Sequence, residues 1–199
     1  ILKASIRRDG SSRFGKNERF GSFPAFSAGW IISEENFLKD NATVTFLKLK
    51  GSWGKLGNAE LGNFASRQLY ESKPYNLKSG LSFSQAGNDN LTWEKSTQID
   101  FGVEFGLLNR ISVEADYYKK NTNGLLFRVP LSISSGASTI NQNIGEVQSS
   151  GVEFSLNTKN INSGNLKWNT SFNITTNESK VVSMPNNNKD IVTTFTINR

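Results

Sequence analysis

The strongest constraint on this chain is an alternation of apolar and polar residues with a period of two. From position 93 to 105 the odd residues are Trp93, Lys95, Thr97, Ile99, Phe101, Val103 and Phe105. The even ones are Glu94, Ser96, Gln98, Asp100, Gly102 and Glu104. Successive side chains of a strand point to opposite faces, so this segment has one apolar face and one that needs water or polar partners. A helix would mix both classes on every face. Residues 2–7, 26–32, 47–53, 111–118, 152–157 and 166–174 repeat the pattern, with Ile31 interrupting it in the second of these. Seven strands are expected, and an eighth over 191–197 if the chain returns there.

The connections carry a second regularity. A tight turn at 106–110 and a short link at 159–165 alternate with long polar stretches at 8–22, 54–91 and 121–148. The link 33–46 is intermediate, and its EENFLKD segment can form one helical turn. Loops beyond about 12–15 residues are unusual in compact domains and tend to be functional. Short and long links in step with strand direction are the asymmetry of an outer-membrane barrel, with short periplasmic turns and long extracellular loops. The aromatics Trp30, Trp53, Trp93, Trp168 and Tyr117 recur near strand ends, where interfacial girdles sit. A soluble β-sandwich burying the same apolar face is the alternative. The densely charged opposite face counts against it.

Composition excludes several function classes. The chain has no Cys and no His, which removes disulfides, thiolate metal sites and the commonest general base. No catalytic, cofactor-binding or metal-binding residues are therefore assigned. The net charge of +6, from 23 basic and 17 acidic residues, is scattered and forms no stripe interleaved with aromatics, so no nucleic-acid partner is expected. No apolar run approaches a helical membrane span, which leaves barrel strands untouched. Without an initiating Met or a signal peptide, and opening inside a strand-like pattern, the chain reads as an excerpt of a longer protein.

Specific strings then narrow the reading. The segment RRDGSSRFGKNERFGSFPAFSAGW at 7–30 closely resembles the barrel of SusC-like TonB-dependent transporters. In that family a strand ends in R-x-DGSSRFG and returns through FPS-x-S-x-GW. LKLKGSWGKLGN (47–58), LTWEKSTQIDFGVEFGLLNRISVEADYYKKNTNGLL (91–126), NIGEVQSSGVEFSLNT (143–158) and LKWNTSFNITTNESKV (166–181) resemble the same family in the same order. Ala25, where the family has Ser, and residues 148–150, where it has an Asn-rich run, are minor departures. The resemblance implies an all-β, antiparallel, up-and-down transmembrane barrel, of which residues 1–199 are a partial wall. Family barrels have about twenty-two strands around a plugged lumen.

It further implies a bacterial outer-membrane location and uptake of oligosaccharides or peptides. The implied partners are outer-membrane lipid, the rest of the parent barrel and its plug, a TonB-type energy coupler and a SusD-like surface lipoprotein. A second reading is the same segment held as a client of a barrel-assembly or secretion machine. A soluble carbohydrate-binding or adhesive β-domain is a third.

On the barrel reading Phe101, Val103, Phe105, Val113, Phe154, Phe172 and Ile174 face lipid. Lys48, Lys50, Glu94, Gln98, Asp100, Glu114, Asp116, Glu153 and Asn173 face the lumen or plug. The family-motif loop is Arg8, Asp9, Gly10, Ser11, Ser12, Arg13, Phe14 and Gly15. It closes over substrate on a functional reading, or is a tight charged hairpin tip that fixes register, since Asp-Gly is first a turn signal. Gly51, Gly54 and Gly57 lack the Gly-Lys-Ser/Thr ending of a phosphate loop and are expected at bends. The carboxylates Glu94, Asp100, Glu104, Glu114 and Asp116 have lysines such as Lys48 and Lys50 as their simplest cross-strand use. Phe64, Tyr70, Tyr75 and Phe83 either stack on ligand or anchor loops.

Overall fold

The computed structural model describes residues 1–184 apart from Asp40 and Leu77. The eighth strand expected over 191–197 lies outside the described residues. In chain order the strands are β1 (Leu2–Gly10), β2 (Phe20–Ile31), β3 (Val44–Asn58), β4 (Leu69–Tyr75), β5 (Lys78–Ala86) and β6 (Glu94–Leu107). They continue as β7 (Ile111–Asn123), β8 (Leu126–Pro130), β9 (Thr139–Asn143), β10 (Glu146–Ser163) and β11 (Leu166–Ser183). The seven alternating segments build one sheet in the order β1-β2-β3-β6-β7-β10-β11, and every neighbouring pair is antiparallel. Among the described residues β1 and β11 each have one neighbour, so the sheet is open.

At one end the connections are short. The β6–β7 turn is closed by the Arg110 N–H donating to the Leu107 carbonyl at 2.8 Å, and its central residues Leu108 and Asn109 have φ of +51° and +55°. Positive φ at both positions marks a type I′ turn, whose twist matches the flanking strands. Strands β10 and β11 meet through Gly164 and Asn165 alone, so this link is shorter than the sequence suggested. Between β2 and β3 a 3-10 turn (Ile32–Glu34) precedes a helical turn in which the Glu35 carbonyl accepts from the N–H groups of Leu38 and Lys39.

At the other end the long connections are folded, which alternation did not reveal. Strands β4, β5, β9 and β8 form a second sheet in that order, with β5 and β9 parallel. The ladders of β3, β7 and β10 also run further than expected, to Asn58, to Asn123 and from Glu146. Polar residues such as Lys55 and Asn121 continue the backbone pairing after the hydrophobic signal has faded.

The buried hydrophobic core sits here as well, between loop and strand ends. Phe14, Phe23, Ala65, Leu91 and Trp93 form it, with Ala59, Leu61 and Leu126 packed against it. Phe14 and Trp93 rings lie 4.9 Å apart, and Phe23 meets Trp93 edge-on at 5.4 Å, a geometry aromatic pairs favour. Amide side chains tie the connections together. Gln85 Nε2 donates to the carbonyls of Ala65 and Arg67, and Asn141 Nδ2 donates to that of Ala65 at 2.8 Å. Asn143 Oδ1 accepts from the Thr92 N–H, and its Nδ2 donates to the Thr92 carbonyl, both at 2.8 Å.

Truncating a buried Phe to Ala costs about 3–5 kcal/mol. Phe14→Ala in the full-length protein should therefore speed amide exchange across 59–67 and 85–93 while the β6–β7 ladder stays protected. Unchanged exchange in those loops would show that Phe14 is not their anchor.

Candidate functional site

Register carries the alternation across the whole main sheet. One line of opposed residues runs Leu2, Ala28, Gly51, Phe101, Tyr117, Val152, Thr176. The adjacent line runs Lys3, Ser27, Ser52, Asp100, Tyr118, Gly151, Asn177. Phe101, Val103, Phe105, Val113, Phe154, Phe172 and Ile174 consequently share the first side. Lys48, Lys50, Glu94, Gln98, Asp100, Glu114, Asp116, Glu153 and Asn173 share the second.

The apolar side is uncovered. Phe101 is 58 % exposed and Ile174 51 %, and Leu2, Phe26, Trp30 and Trp168 are open as well. The upper edge of this apolar zone does not follow one ladder row. Its first polar residues are Arg8 and Ser22, opposite each other, then Lys55 and Thr97, then Lys119 and Ser150. Thr97 pairs with Asn121, two residues beyond Lys119, so the edge slips two residues for every two strands. At about 3.3 Å per residue and 4.8 Å per strand, that corresponds to a strand tilt of roughly 35° from the normal to the edge.

The polar side carries a connected charge cluster. Lys50 Nζ lies 2.6 Å from Glu114, 3.0 Å from Asp116 and 3.6 Å from Glu104, and Lys48 Nζ is 2.8 Å from Glu104. Ser52 Oγ and Gln98 Nε2 both donate to the Asp100 carboxylate at 2.7 Å. Gly102 makes the hub possible, because a Cβ there would stand 2.0 Å from an Asp116 oxygen and 2.5 Å from Lys50 Cε. The cluster lines a hollow of about 690 Å³ that also reaches Tyr118, Lys120 and Glu153, so the sheet curls around its charged side.

Two expected site residues sit apart from the cluster. Glu94 accepts from Asn58 Nδ2 and from the Leu126 N–H at the long-connection end, and Asn173 stands opposite Ser155 on the outer strand pair. Ser52, Gln85 and Asn141 were not singled out from sequence, since a hydroxyl or amide in a polar stretch looks like any solvated residue.

The family-motif loop differs from a tight hairpin tip. Asp9 and Gly10 are the last residues of β1, paired with Gly21 and Phe20, so the Asp-Gly pair makes no turn. The connection proper is held by long-range bonds. Ser11 N–H donates to the Arg19 carbonyl, Gly15 N–H to that of Leu91 and Ser66 N–H to that of Arg13, while Arg13 Nη1 donates to the Ala59 carbonyl. Arg8 lies over the Phe20 ring, Asp9 pairs with Arg7 at 2.6 Å, and Ser12 lines a polar hollow beside the buried Phe14.

Two further expectations are corrected. Trp93 is only 6 % exposed and belongs to the loop core, not to the apolar rim. It precedes the first ladder residue, Glu94, so parity no longer decides its side. Gly51, Gly54 and Gly57 make no bend, because β3 runs through all three. At Gly57 a Cβ would come within 2.0 Å of the Phe23 ring, so this glycine admits the aromatic that closes the core. Tyr70 and Phe83 contact each other at 5.4 Å, which fits loop anchoring.

A family model described as TonB dependent receptor-like, beta-barrel, matches residues 1–195. TonB-dependent receptor P39 of Formosa agariphila is 42 % identical over 186 residues, covering 92 % of this chain and 18 % of that protein. TonB-dependent receptor SusC of Bacteroides thetaiotaomicron is 39 % identical over 194 residues, covering 92 % of this chain and 19 % of its own length. Among solved structures, the RagAB peptide importer in the open-open state superposes with a TM-score of 0.84 at 34 % identity, over 93 % of this chain and 20 % of that one. The chain thus spans about a fifth of the length of the curated relatives it matches.

Replacing Lys50 with Met leaves three carboxylates without their shared cation. Because these side chains are 27–47 % exposed, the cost should be about 1–3 kcal/mol, below that of breaking a fully buried pair. Denaturant titration of the full-length protein reads it directly. Glu114→Gln, which leaves Lys50 two other partners, should cost clearly less.

Proposed function

The chain belongs to the TonB-dependent receptor-like β-barrel family, and on that premise we propose that it is one wall of an outer-membrane importer. The apolar side faces lipid and the charged side faces the lumen and the parent protein's plug. The long-connection end is extracellular. The observation that carries this reading is the exposed apolar face maintained over seven consecutive strands, with Phe101, Phe172 and Ile174 each at least half exposed. A soluble sandwich would need a second sheet on that face. Among the described residues the smaller sheet is instead tied to the connections beyond the strand ends through Gln85 and Asn141.

The implied cargo is too large for simple porins. Peptides lead, because the structurally similar RagAB is a peptide transporter, and oligosaccharides follow from the SusC-like resemblance. Uptake would be driven by a TonB-type coupler, with a SusD-like lipoprotein on the extracellular side. The cluster around Lys50 is then internal wiring of the wall against the plug. Its carboxylates are engaged by lysines, an arrangement suited to holding shape.

The lipid assignment has a sharp test. An arginine on the lipid side of a barrel costs about 2–4 kcal/mol at mid-bilayer and far less on the wet side. Phe101→Arg and Gln98→Arg, three residues apart on opposite faces, should differ by that margin in refolding titrations of the full-length barrel in lipid vesicles. Equal costs would remove the membrane reading. Import itself is tested by uptake of labelled peptide in cells with and without an intact energy coupler, and uptake that ignores the coupler would contradict active transport.

A further inference from the structure

We propose that the rim of the apolar face at the long-connection end is a belt that binds the phosphate groups of anionic lipids, an inference that rests on the bilayer reading above. The first polar residues beyond the apolar zone are Arg8 on β1, Ser22 on β2, Lys55 on β3, Thr97 on β6, Lys119 on β7 and Ser150 on β10. Cations and hydroxyls alternate over these six strands; on β11 Glu178 stands opposite Ser150 and is neutralised by Lys180.

The geometry suits phosphate. Each cation stands directly opposite a hydroxyl in the ladder: Arg8 with Ser22, Lys55 with Thr97 and Lys119 with Ser150. Opposed residues are about 5 Å apart, so a charged donor and a neutral one can share one phosphate. The three pairs follow the slipping edge of the apolar zone, which keeps them at one height above it in a tilted sheet. Successive cations are then roughly 10–12 Å apart, two strands across and two residues along.

The cations are held ready and are uncommitted. The Arg8 guanidinium lies 5.1 Å over the Phe20 ring and the Lys55 ammonium 5.8 Å over the Trp53 ring, an arrangement that steadies a cation beside apolar surface. Among the described residues none of Arg8, Lys55 and Lys119 forms an ion pair, whereas Lys180, further out on β11, is paired with Glu178 at 2.9 Å. The opposite rim differs. Its outward strand positions include Leu107, Ile111, Thr158, Trp168 and Thr170, and among the described strand residues no outward Lys or Arg occurs there. Solubilising charge would be of mixed sign and would serve both rims. A rim whose unpaired charges from β1 to β7 are all cations matches an anionic leaflet on that side, with each cation near the surface favouring anionic lipid about fivefold.

The experiment uses the full-length protein in nanodiscs of phosphatidylcholine with a minority of phosphatidylglycerol, and native mass spectrometry to compare retention of the two lipids. The rim variant Arg8→Gln, Lys55→Gln, Lys119→Gln should lose the preference for phosphatidylglycerol, by about fivefold per cation. The control Lys3→Gln, Arg7→Gln, Lys120→Gln removes the same charge from the polar side and should retain it. Equal loss in both variants would reduce the effect to net charge and overturn the belt, as would no loss in either. If the triple rim variant fails to assemble, Lys119→Gln alone should give one fivefold step, and its absence would overturn the proposal equally. The comparison of Phe101→Arg with Gln98→Arg is independent of these lysines. A barrel that passes that test but shows no rim effect would remove the belt and leave the bilayer reading standing.

Discussion

Side chains alternate across a strand, so a sheet of seven strands keeps two chemically distinct faces only if every register matches in parity. A slip of one residue at any junction would carry the charged set beyond it to the apolar side. The register here holds Phe101 opposite Gly51 and Tyr117, and Asp100 opposite Ser52 and Tyr118. The short turns help to set it. Positive φ at Leu108 and Asn109 closes β6 onto β7 without an extra residue, whereas β10 takes up one extra residue between Lys159 and Ile161 before the Gly164–Asn165 link. The Lys48–Glu104 and Lys50–Asp116 contacts also form across strands only in this register, so the charge cluster and the ladder reinforce one another.

The long-connection end is stabilised by different means. Loops of that length would carry many unpaired backbone groups if they merely lay over the strand ends. They instead build a small sheet and satisfy remaining carbonyls with side-chain amides from Gln85, Asn141 and Asn143. Phe14, Leu91 and Trp93 then bury apolar surface where the main sheet, with its open apolar side, has none to bury. The family motif therefore places an anchor: Gly10 ends the strand, Ser11 and Arg13 fix the path, and Phe14 enters the core.

Legibility in the sequence follows the same division. Gln98 and Phe101 were assignable to opposite sides because period-two patterning is local and survives any tertiary context that keeps the ladder. Beyond the apolar zone the ladder continues through Lys55, Thr97 and Asn121, where polarity no longer alternates, so strand ends were placed too early. Asp9–Gly10 was read as a turn because that dipeptide favours one, yet pairing with Gly21 and Phe20 overrides the preference. The joining of β4 and β5 to β9 and β8 was missed because Gln85 and Thr139 pair across 54 residues and amides tie the strands to the loops. Asn141 bonding Ala65 leaves no local trace. Trp93 was misplaced by a single residue of ladder, which is enough to turn an aromatic inward.

Charge shows how strongly a two-sided sheet constrains a sequence. The net charge of +6 is not spread evenly. Around the central hollow, four carboxylates (Asp100, Glu104, Glu114 and Asp116) meet two ammonium groups, those of Lys48 and Lys50. The lining of the hollow carries both signs, Asp100, Asp116 and Glu153 with Lys48, Lys50 and Lys120. Further cations stand on the polar side at Lys3, Arg7 and Lys120, and on the apolar side only beyond its edge, at Arg8, Lys55 and Lys119. Paired charges on the polar side and cations at the rim are thus two consequences of one partition: a charge excluded from the apolar zone must cross to the other side of the sheet or move along the strand until that zone ends. The first route requires a counter-charge, which Lys50 supplies to three carboxylates at once. The second requires only that the strand run on past its outward apolar residues, as β3 does through Lys55 to Asn58, where Gly57 on the same strand also admits the Phe23 ring of the core.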